Sequence, residues 1–281
     1  RSSKAVGRFV SGGIFGAILG WLVAGIADNF LSYWQMGFLI MVPPVICIGI
    51  INYFFLEESP KIKQKLESKQ KESTPLLSSI KKLLTNRFLI IVLLFCALDL
   101  FTLWLVDDWL PFYVKESFGI SSIEAAIFRA TSAFAGIIGI LFFGYFSDKF
   151  GRRKTLIVAV CGGLIAMISL LAISIMELPF GYMYPLSAAV GFFALGEFAA
   201  IYVLVMENAP DNRYGMAMGL CIFIGNAIAL TGGPLAAILA TNTVLGLHAF
   251  LIVPGIALAL RLPLSLIAKD PAFIGFSEKK E

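Results

Sequence analysis

Gly144-Tyr145-Phe146-Ser147-Asp148-Lys149-Phe150-Gly151-Arg152-Arg153-Lys154-Thr155 joins two long apolar stretches, 123–146 and 155–176. Lys149, Arg152, Arg153 and Lys154 crowd beside one carboxylate, Asp148, around Gly151. Charge at this density does not enter hydrocarbon, whereas each flanking stretch is long enough to cross it. The pattern is a membrane hairpin with its charged tip in water.

The rest of the chain agrees. Of its 281 residues, 59% are hydrophobic and only 14% charged, and its mean hydropathy is +0.88. A soluble domain is typically about a quarter charged. Eight stretches approach the roughly 20 apolar residues a spanning helix needs: 9–27, 36–56, 88–110, 123–146, 155–176, 180–206, 214–240 and 244–267. None carries the charged face that an outer helix of a soluble bundle would need. The fold class is an all-α membrane protein with eight transmembrane helices.

Cation placement sets the expected orientation. With loop 147–154 cytoplasmic and the helices alternating, the inside segments hold every lysine and arginine except Lys115, Arg129 and Arg261. Lys115 falls in an outer loop; the other two fall within helices. This is the positive-inside bias. The cations therefore mark topology, and nucleic-acid binding explains them poorly.

A shift of the chain by 212 positions brings Arg1, Ala5, Gly7, Gly13, Ala17, Gly20, Ala24 and Ile26 onto Arg213, Ala217, Gly219, Gly225, Ala229, Gly232, Ala236 and Ile238. Phe38-Leu39-Ile40 then meets Phe250-Leu251-Ile252 without a gap. Internal duplication is a common construction of secondary transporters. The repeat divides the chain into 1–56, the last two helices of a first six-helix half; 57–87, a linker; and 88–281, a second half and tail. On this reading four helices are expected before Arg1, and the chain is expected not to transport alone. In the linker, Thr74 is expected to cap and Pro75 to open a helix over 75–85 lying in the cytoplasmic interface, after a Lys-rich spacer at 61–73.

Cys47, Cys96, Cys161 and Cys221 all fall inside apolar stretches, which reads as packing. No metal-ligand spacing is visible. The lone His248 leaves a membrane enzyme without a catalytic cluster.

GYFSDKFGRRKT resembles the cytoplasmic signature of the major facilitator superfamily, carried here by Gly144, Asp148, Gly151, Arg152 and Arg153. Glu57-Glu58-Ser59-Pro60, Glu207-Asn208-Ala209-Pro210 with Arg213, and Trp109-Leu110-Pro111-Phe112-Tyr113 are similar to motifs of its sugar and metabolite:proton symporters. The resemblance implies the major facilitator fold. It implies a plasma-membrane carrier of a small polar metabolite, a sugar or an organic anion, working as a monomer with protons as partners and no cofactor. It also implies a cytoplasmic gate of Asp148, Arg152, Arg153, Glu207, Arg213 and Glu58. A facilitated uniporter or drug antiporter of the same fold remains the alternative, and an eight-helix channel or assembly subunit the alternative from another class.

Ionisable groups inside membrane helices are candidates for function. At about 1.5 Å per residue, Asp99 lies about 16 Å and Glu197 about 14 Å from the cytoplasmic ends of their helices. Both sit near the midplane, where a carboxyl can carry a coupling proton, or else be a protonated group bonded to a neighbouring helix. Arg129 is expected to bind an anionic substrate, to pair with Asp99 or Glu124, or to snorkel. Arg261, near a cytoplasmic helix end, is expected to snorkel. Asn226 can bond substrate or another helix. Gly12, Gly16 and Gly20 fall four apart, the spacing that lets a neighbouring backbone approach.

Overall fold

The computed structural model describes residues 2–31, 35–55, 76–210 and 213–268. Among them every regular element is helical. Eight helices are long and apolar enough to cross a membrane. We number the helices α1 (Ser2–Leu31), α2 (Gln35–Phe55), α3 (Leu76–Leu84), α4 (Arg87–Phe118), α5 (Ser122–Phe150), α6 (Arg152–Ile175), α7 (Phe180–Asn208), α8 (Tyr214–Asn242) and α9 (Gly246–Ile267). All but α3 are the spans. The expected short helix in the linker is α3; Thr74, Pro75 and the Lys-rich spacer lie outside the described residues.

The helix boundaries follow local chemistry. Asn86 starts α4 by accepting from the amides of Phe88 and Leu89 at 3.1 and 3.4 Å, the usual role of an N-cap amide oxygen. Ser121 and Glu124 form a capping box that opens α5. Gly151 (φ 96°) alone separates α5 from α6, a conformation that a Cβ strains. The expected loop 147–154 is thus shorter than its sequence suggested. Ser147, Asp148 and Lys149 belong to the last turn of α5, and Arg152, Arg153 and Lys154 to the first turn of α6.

Two further boundaries differ. Helix α4 does not stop near residue 110 but runs to Phe118 through a π-helical turn, Leu105–Trp109, with Pro111 in the first turn where the α-helix resumes. Proline has no N–H to give to a helix hydrogen bond, and the irregular turn falls just before it. Helix α7 is broken at Glu197, whose carbonyl accepts from both Ala200 and Ile201.

Helices α4 to α9 form one bundle, with α1 laid along α5. Small residues set the closest approaches. A Cβ on Gly191 of α7 would overlap the Ser132 carbonyl of α5, and one on Gly139 of α5 would overlap the Phe192 carbonyl of α7. Along α1 the contact residues are Gly7, against Ile140, and Gly25, against Ala126. The expectation for Gly12, Gly16 and Gly20 is corrected here: no described atom comes within 4 Å of a Cβ built on any of them. Four-residue spacing gives a smooth stripe, but Gly7 and Gly25 lie on the stripe that meets α5. The apolar core divides into two clusters, one toward the Asp148 end and one toward the opposite end. They meet on α4 at Leu100 and Phe101, directly after Asp99.

Candidate functional site

Three spans converge on one buried cation. Arg261 of α9 is fully buried; its Nη2 lies 2.7 Å from Asp99 Oδ1 of α4 and pairs also with Glu197 of α7. The Phe95 ring lies 4.9 Å from the guanidinium carbon. The two carboxylates singled out as lying at similar depth are therefore brought together, with the cation between them. Arg261 does not snorkel. Helical Cα–Cβ bonds tilt toward the helix N-terminus, and α9 runs toward the Asp148 end. Its arginine side chain thus starts toward the membrane interior, where two carboxyl groups face it.

A second pair lies nearer the opposite end. Arg129 of α5, 1% exposed, is ion-paired with Asp107 of the π-helical turn, and its guanidinium carbon is 4.3 Å from the Trp21 ring of α1. Its partner is neither Asp99 nor Glu124, whose carboxylate accepts from the Ser121 amide and hydroxyl at 2.8 Å. Sequence reading missed Asp107. It falls inside the stretch 88–110, near the end given there for the helix, and nothing in the sequence pairs it with Arg129. Trp21, Asp107, Arg129 and Tyr202 line a cavity of about 680 Å³ whose other walls are apolar or glycine. Leu100 and Phe198 belong to those walls. Each directly follows a triad carboxylate, so the triad stands one residue behind the cavity.

Asn226 is not brought to either place. It is half-buried and donates to Ile222 O of its own helix at 2.8 Å. The shallow cavity it lines is shared only with other residues of α8.

The glycine–arginine hairpin builds a third cluster. Arg152 Nη2 donates to Glu207 Oε1 of α7 at 2.9 Å, and Nη1 donates to Ser147 O at 3.1 Å and lies 3.5 Å from Asp148 Oδ1. Ser147 Oγ is 3.5 Å from Ser3 Oγ, which ties α1 to the same end. Arg153 is exposed and Arg213 half-buried; Gly144 is buried in the last turns of α5. Glu58 lies outside the described residues. At the far end Tyr113 hydrogen-bonds Ser174 of α6 and, at 3.1 Å, His248 Nδ1. Trp109 stacks on Phe250 at 5.2 Å. The Trp109–Tyr113 motif thus fastens α4 to α6 and α9.

The family model of the Major Facilitator Superfamily matches residues 1–234 and, in a second register, 110–280. The chain belongs to the major facilitator superfamily. Its relatives in this superfamily include the sialic acid transporter NanX of Escherichia coli, 25% identical over 85% of this chain and 56% of that protein. The hexuronate transporter of Bacillus subtilis is 25% identical over 86% of this chain and 59% of that protein. A cis,cis-muconate transport protein of Acinetobacter baylyi is 27% identical over 54% of this chain and 38% of its own length. The chain spans about half the length of the curated relatives it matches. The solved outward-facing bacterial homologue of the iron transporter ferroportin superposes with a TM-score of 0.60 at 14% identity, covering 95% of this chain and 65% of that one. That likeness speaks for the major facilitator fold alone. This facilitator chain is a multi-pass membrane protein.

Proposed function

We propose that the protein is a secondary active carrier of small organic acids, sugar acids among them, working by alternating access and driven by protons. The observation that carries the coupling is the sharing of buried Arg261 between Asp99 and Glu197. Two ionised carboxylates and one guanidinium leave a net negative charge in a site with almost no solvent contact. An unpaired buried charge costs several kcal/mol. With one proton on the carboxyl pair the site is neutral. The site therefore changes hands between a neutral, proton-loaded state and a charged state that needs access to water, which is what a coupling site must do.

The substrate class rests on two supports. Arg129 and Asp107 are the charged residues among the cavity's lining, and an arginine fork suits a carboxylate. The three relatives named above also carry the names of acids. Arg129 is the anion-binding residue on this reading; Asn226 keeps at most a supporting role. Asp148, Arg152 and Glu207 form the cytoplasmic gate on this reading, with Arg153 and Arg213 on the neighbouring helix ends and Gly144 and Gly151 shaping it; Glu58 is assigned to it by the family resemblance alone. Its carboxylates are partly exposed at the helix ends, so water can replace the cation as the cluster breaks and reforms within a transport cycle.

The test is uptake of labelled glucuronate, glucarate, N-acetylneuraminate and cis,cis-muconate by proteoliposomes holding the intact protein. Uptake of at least one acid against its gradient, driven by an inward proton gradient and abolished by a protonophore, is the expected result. Protonophore-insensitive equilibration would make the protein a uniporter and remove the triad from coupling.

A further inference from the structure

The second charge pair has a feature that coupling does not use. Arg129 is buried, yet its Nε and Nη1 have no hydrogen-bond partner among the described residues; Nη2 alone is engaged, by Asp107. A guanidinium presents five N–H groups in a planar fork that matches a carboxylate. One bond to Asp107 leaves most of that fork unused, at the wall of a cavity of about 680 Å³, within the size range of small-molecule sites.

The two partners differ in how they are held. Arg129 is 1% exposed and stacked on Trp21, whereas the Asp107 side chain is 21% exposed. Asp107 also rides on the π-helical turn Leu105–Trp109. Such turns are rare, and they concentrate where a helix has work besides holding its shape. The cation is fixed, and its carboxylate is the more movable member.

We propose that Asp107 is a built-in stand-in for the substrate's carboxylate: it holds Arg129 in the substrate-free protein, and a carboxylate-bearing substrate replaces it on the guanidinium. The idea rests on the organic-acid reading above. It supplies selectivity, because a neutral ligand that displaced Asp107 would leave a buried guanidinium unpaired. It also sets affinity. Substrate binds only when Arg129 is released, so the apparent dissociation constant is the intrinsic one divided by the fraction of time that Asp107 leaves it free.

Calorimetric titration of the intact protein with glucuronate, glucarate, N-acetylneuraminate, cis,cis-muconate and neutral glucose tests this. Asp107→Asn is expected to bind the preferred acid about tenfold tighter and to leave glucose unchanged. Arg129→Gln is expected to lose acid binding. The double variant, which removes both charges, is expected to fold and to show no preference for acids. A folded Asp107→Asn protein that binds the acid no tighter than wild type overturns the proposal. Should that variant fail to fold with Arg129 unpaired, infrared difference spectra of the wild type decide. Acid, and not glucose, is expected to shift a protein carboxylate band that the double variant lacks; no such band overturns the proposal. A wild type that binds none of the acids brings down the organic-acid reading as well, an outcome separate from acid binding without tightening.

Discussion

Three arginines are buried among the described residues, and their partners separate their roles. Arg261 holds two carboxylates, Arg129 holds one, and Arg152 closes the hairpin on Glu207. Removing one member of a buried pair costs about 3–5 kcal/mol when it strands a charge. Glu197→Gln leaves the Asp99–Arg261 pair intact and neutral, whereas Arg261→Met leaves two carboxyls without their cation. We predict a folded Glu197→Gln protein close to wild type in thermal unfolding, and an Arg261→Met protein lower by roughly 3–5 kcal/mol; equal losses would deny the charge balance of the triad. Asp99 and Glu197 were legible in the sequence because a carboxylate in an apolar run stands out and counting helix rise gives its depth. Arg261 was misread for a related reason. Counting gives the depth of a Cα atom, but the direction of a long side chain depends on helix polarity and on partners two helices away.

At the scale of elements, the spans themselves were plain in the sequence, since eight apolar stretches leave little choice in a bilayer. Their irregularities were not. The π-helical turn that carries Asp107 has no sequence signature in Leu105-Val106-Asp107-Asp108-Trp109, and neither does the break at Glu197. Gly151 was legible as a turn residue, and φ 96° explains why. Gly151→Ala should cost about 1–3 kcal/mol in a reversible unfolding measurement; no change would mean that the hairpin rebuilds without the strained residue. The α5–α7 seam gives a second test. Gly191→Ala drives a Cβ into the Ser132 carbonyl, and overpacking of this kind costs typically about 1–3 kcal/mol. Gly49→Ala on α2, where a Cβ meets no described atom within 4 Å, should not destabilise in the same assay and should gain up to about 1 kcal/mol from helix propensity. Equal effects at the two sites would place the tight seam elsewhere.

For the molecule as a whole, the layout follows one logic. The Arg129–Asp107 pair and the Asp99–Glu197–Arg261 triad sit at different depths; the pair lines a cavity whose walls also include Leu100 and Phe198, the residues that follow the two triad carboxylates. Helix α1 lies along α5 from Ser3 against Ser147 to Asp28, whose carboxylate accepts from the Ser122 hydroxyl. Polar contacts stand at both ends of that seam, Ser3 with Ser147 at one and Asp28 with Ser122 and Lys115 at the other. The family and the bilayer class were readable from Gly144–Thr155 alone. The triad was not, because it depends on side chains from α4, α7 and α9 meeting across the bundle.

Acid accumulation in proteoliposomes under an imposed proton gradient, compared between wild type and Glu197→Gln, bears on all of this most directly. The account predicts uphill, protonophore-sensitive uptake by the wild type. For Glu197→Gln it predicts exchange of labelled for unlabelled acid without accumulation. Uphill, proton-driven uptake that survives Glu197→Gln and Asp99→Asn alike would contradict it.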